Sequence, residues 1–67
     1  MSVAKITEIS AESTVSFEDA IKEGIARASR TLSNITGAWV ESQQVQVRDG
    51  KAHSFRVHMK VTFILND

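Results

Sequence analysis

From Ser54 to Leu65 the chain alternates between two chemistries with a period of two. Phe55, Val57, Met59, Val61, Phe63 and Leu65 are apolar, and Ser54, Arg56, His58, Lys60 and Thr62 stand between them. Successive side chains of a strand point to opposite faces, so this run predicts a strand with one buried face and one polar face. A strand of that kind forms only where other elements cover its apolar side. With 67 residues there is room for one domain, 1–67, and no more.

The covering layer is predicted upstream. Ser16 is a good N-cap, with Glu18 and Asp19 in the first turn where the helix dipole favours acids. Val15 and Ala20 are placed to form a weak staple around that cap. Ala20, Ile21, Gly24, Ile25, Ala28 and Leu32 recur at helical spacing along one face, and Asn34 is the expected terminator. Gly24 inside the stripe costs about 1 kcal/mol against alanine, which close approach of another backbone would justify. "VAKITEIS", residues 3–10, reads as a first strand and "AESTVS" as a connection.

Between helix and closing strand, residues 38–47 suit a strand whose alternation breaks. Ala38 and Val40 are even, whereas Val45 and Val47 are odd. A bulge around Ser42 to Gln44 is expected to reconcile the two pairs. Asp49-Gly50 then supplies a strong hairpin signal. The expected fold is α+β: a β-α-β-β chain with a three-stranded antiparallel sheet folded around one helix.

A domain this small buries only about 60% of the surface its unfolded chain exposes. There is no cysteine, so disulfides and thiolate metal sites are excluded. His53 and His58 lie five apart in one strand, on opposite expected faces, and cannot chelate one ion within a chain. Self-association is the remaining remedy, and exposed sheet edges call for the same partner.

Eight basic and eight acidic side chains cancel, which gives no general field for nucleic acid or an anionic membrane. No apolar run approaches the roughly 20 residues of a membrane span, and "MSVAKITEIS" lacks a secretory apolar segment. A cytoplasmic protein is expected. Serine elbows, phosphate loops, dinucleotide fingerprints and EF-hand spacings do not occur. An enzyme is therefore not expected. The row Arg56, His58, Lys60 reads first as a solvated sheet face, and in a closed oligomer as a place for an anionic ligand.

"AIKEGIARASRTLSN" together with "FRVHMKVTFIL" resembles the dodecin family, and the likeness extends over nearly the whole chain, the "DG" turn included. The resemblance implies a β-α-β-β subunit of a hollow homododecamer that binds, stores or sequesters a small ligand. It implies flavin (riboflavin, FMN or FAD) as the default cofactor, with coenzyme A or calcium in some members. In flavin-binding members, tryptophans from two subunits sandwich a pair of flavin rings. That tryptophan position falls on Gly37 here, and the flavin-contacting glutamine falls on Arg56. Both are replaced, and the calcium-associated branch likewise lacks the tryptophan.

Trp39, the single tryptophan, stands two residues beyond Gly37, about 6.6 Å away on the same face if no bulge intervenes. It is either a displaced stacking platform or a subunit-interface anchor, and the second reading is favoured. Gly37, Trp39, Arg56 and His58 are the candidate ligand residues on this resemblance. Glu8, Glu12, Glu41 and Asp49 are the carboxylates available if the ion is calcium. The alternative function is accordingly a flavin-free shell with a structural or cation-binding role.

Overall fold

A computed structural model describes residues 3–65. Strand β1 (Val3–Ser13) leads into helix α1 (Phe17–Ala28), which is followed by the long strands β2 (Ile35–Arg48) and β3 (Lys51–Leu65). The sheet order is β1-β3-β2, and β3 pairs antiparallel with both neighbours. The strand with the sharpest alternation is thus the central one. β1 and β2 run parallel to each other, with α1 as their crossover and β3 filling the gap between them, a split β-α-β arrangement.

The helix starts where its cap places it. The Ser16 hydroxyl accepts from the Asp19 N–H at 3.0 Å. The expected staple does not form, because Val15 is 71% exposed while Ala20 is fully buried. Ser13 fixes the entry instead: its hydroxyl accepts from the Val15 N–H at 2.9 Å and donates to the Asp19 carboxylate at 2.6 Å. β1 correspondingly runs three residues past the expected end at Ser10, since Ala11, Glu12 and Ser13 continue the ladder with Val57, Arg56 and Phe55.

α1 ends at Ala28, short of Leu32, through tightened turns in which Arg30 and Thr31 donate to Arg27 and Ala28. Asn34 then takes a left-handed φ of 61°, and its carbonyl accepts from the Ile64 N–H. That residue turns the chain into β2.

The predicted break in β2 is present, one step earlier than expected. Val40 pairs with Met59 and Ser42 with His58, which leaves Glu41 as the extra residue. Ala38 and Val40 therefore face the core side before the bulge, and Gln43 and Val45 after it, opposite Val61, Met59, Val57 and Phe55. Asp49 (φ 52°) and Gly50 (φ 73°) close the hairpin with the two positive φ values of a type I′ turn.

Ala20, Val57, Met59 and Val61 are fully buried. Ile9, Ala11, Phe17, Ile21, Ile25 and Val40 pack against the cluster of Ala20, Val57 and Met59. Phe17 and Phe55 meet edge to face, centroids 5.1 Å apart. The helix packs on β1 and β3. On β2, Val45 and Val47 stay exposed. The Cα radius of gyration is 13.8 Å and the extents are 51 × 19 × 13 Å, against about 11 Å for a compact chain of this length. A narrow core under a long hairpin leaves Val3, Ile6, Val45, Val47 and Leu65 exposed.

Candidate ligand face of the sheet

The face of the sheet opposite the helix carries the chemistry. Register lines up three rows across the strands: Glu12–Arg56–Gln44, Ser10–His58–Ser42 and Glu8–Lys60–Trp39. Gly37 follows in the next row, opposite Thr62. Ser10, Ser42, Gln44, Arg56 and His58 line a hollow of about 230 Å3 on this face. Ser54, expected in the same open row, is buried.

Arg56, His58 and Lys60 each have a carboxylate beside them. Arg56 donates from Nε and Nη2 to one Glu12 oxygen at 3.2 and 3.0 Å. His58 Nε2 lies 3.7 Å from Glu8 on β1, and Lys60 Nζ lies 3.8 Å from Glu41 on β2. The last two contacts cross the rows diagonally and exceed hydrogen-bond length. The row read from the sequence as basic is therefore electrically compensated, which the one-strand pattern does not reveal.

Glu8, Glu41 and His58 converge. One ligand atom from each lies within 4.8 Å of the other two, and each comes from a different strand. The bulge makes this possible: Glu41 and Ser42, consecutive in the chain, both stand on the side of His58. All three residues are candidates in the sequence, but no local pattern there places them together. The parity break in β2 was the available signal.

The remaining candidates separate. Trp39 is 68% exposed, with Lys60 Nζ 5.8 Å from its ring centroid, a cation–π contact. Gly37 has open space where a side chain would stand. Glu12 is engaged by Arg56 rather than by the carboxylate cluster. Asp49 sits in the hairpin turn, and His53 lies at the last of three register irregularities between β2 and β3, between the pairs Gln46–Ser54 and Val47–Ala52.

A split β-α-β unit closed by a long hairpin, with one face under the helix and the other bearing a charged row and an open tryptophan, defines a class of small α+β proteins. The chain belongs to the dodecin family, whose profile matches residues 3–66. It is similar to the dodecin from Streptomyces davaonensis, at 35% identity and a TM-score of 0.94 over 98% of this chain and 97% of that one. Dodecin from Streptomyces coelicolor is 26% identical with a TM-score of 0.93, over 98% and 94% of the chains. The calcium dodecin of Mycobacterium tuberculosis, a calcium-chelating antigen with a novel calcium-binding site, is 28% identical with a TM-score of 0.83, over 96% and 91%. No curated protein matched. Among the described residues no helix is long and apolar enough to cross a membrane.

Proposed function

We propose that the chain is the single-domain subunit of a homododecameric dodecin shell that holds a small ligand on the helix-free face of its sheet without transforming it. The observation that carries this reading is Trp39, 68% exposed beside a polar hollow in a chain whose buried core is small. A large aromatic so placed offers a face that a flat ligand or another subunit can cover. Flavin is the ligand the family resemblance implies. Gly37 and Arg56 stand where flavin-binding members carry tryptophan and glutamine, so the expected affinity is weak. Light scattering on the dilute protein together with a flavin fluorescence titration tests both halves. A stable folded monomer removes the shell, and unquenched flavin removes the flavin ligand.

A second reading is a shell that binds cations. The approach of Glu8, Glu41 and His58 favours it, as does the likeness to a calcium-chelating dodecin. Titration calorimetry with divalent ions separates it from the first.

A further inference from the structure

We propose that Glu8, Glu41 and His58 form a site for a divalent transition metal of the zinc type, with Lys60 as a built-in competitor for Glu41. The proposal rests on the cation-binding reading and specifies the ion and its ligands. The three donors come one from each strand, brought side by side by the order β1-β3-β2 and by the bulge at Glu41. Ligands about 2.1 Å from a tetrahedral ion are about 3.4 Å from one another. The three atoms already lie within 4.8 Å, so each side chain closes by roughly 1 Å or less to reach that spacing. All three side chains retain the exposure to make that adjustment.

The donor set selects the ion. Calcium prefers six to eight oxygen ligands, and an imidazole nitrogen contributes poorly to such a sphere. Two carboxylates and one imidazole instead match the mixed N/O sets that hold zinc and its first-row neighbours. Two carboxylate charges balance a divalent ion. Three protein ligands leave a fourth position open toward the exposed side of the sheet, for water or a ligand oxygen.

Lys60 gives the site a second signature. Its ammonium lies 3.8 Å from Glu41 and 5.8 Å from the Trp39 ring centroid. An ion bound to Glu41 repels that ammonium and alters the surroundings of the single tryptophan. Metal occupancy is therefore read by Trp39 fluorescence in the unmodified protein.

The test is calorimetric and fluorimetric titration of the metal-stripped full chain, in its native assembly, with zinc chloride and with calcium chloride. The expected result is zinc affinity at least tenfold above calcium, with a saturable change in Trp39 emission. Glu41→Gln and His58→Gln should each lower zinc affinity tenfold or more, while His53→Gln leaves it unchanged. Lys60→Gln should raise it severalfold, a gain that misfolding does not mimic. Zinc affinity unchanged in His58→Gln, or unchanged in Lys60→Gln, overturns the proposal. Calcium binding more tightly than zinc overturns it while leaving the cation reading in place, and no binding of either ion removes both.

Discussion

Gly24 of the helix and Ala11 of β1 approach so closely that a Cβ built on Gly24 would stand 2.8 Å from the Ala11 Cβ, with the Met59 Cε at 3.0 Å. The Ala11 methyl is fixed directly to its backbone and cannot swing away. The glycine expected from the helical stripe to mark a close approach is therefore set directly against the sheet.

Gly24→Ala should destabilise the fold even though alanine is the better helix former by about 1 kcal/mol. Overpacking costs typically about 1–3 kcal/mol, so the net change is a loss, and Gly24→Leu should lose more. Thermal melts read the sign directly. A raised melting temperature for either variant contradicts the close packing.

Trp39→Ala discriminates the two roles of the exposed indole through sizing chromatography and flavin titration on one variant. An interface anchor commonly carries about 2 kcal/mol or more, so its truncation should dissociate the assembly. A stacking platform should lose ligand affinity while the oligomer keeps its size. The expected outcome is loss of assembly, with weak flavin binding in the parent.

Glu12→Gln should release Arg56. The pair is about half exposed on both sides, so its loss should cost less than about 1 kcal/mol of stability. The freed guanidinium keeps its fork of donors, which suits a phosphate. Affinity for FMN should rise relative to riboflavin, measured by parallel fluorescence titrations. Equal changes for the two flavins would show that Arg56 does not meet a phosphate.

Gly50→Ala should weaken the hairpin. At φ 73° an L side chain is strained, by roughly 1–2 kcal/mol for left-handed backbone, and no packing gain offsets it because the site is open. Chemical denaturation should show a lower midpoint with an unchanged slope.

Much of the fold is legible in local chemistry. The period of two in β3, the Ser16 cap, the Asp49-Gly50 turn and the parity break that demands a bulge each act over a few residues, and the structure contains all of them. The helix end and the length of β1 depend on distant residues. Ser13 belongs to the ladder because of Phe55, and the chain leaves the helix for β2 with the help of Ile64, both more than 25 residues away. The candidate site divides the same way. The alternation of β3 alone puts Arg56, His58 and Lys60 on one face. The place of β3 between β1 and β2, which gives that row its carboxylates and gathers Glu8, Glu41 and His58 from three strands, comes from long-range packing. Side-chain alternation is a property of one strand and is written in its own residues. Which strand lies beside it, in which register, depends on the summed packing of the helix, the bulge and the hairpin, and no short window of sequence contains that sum.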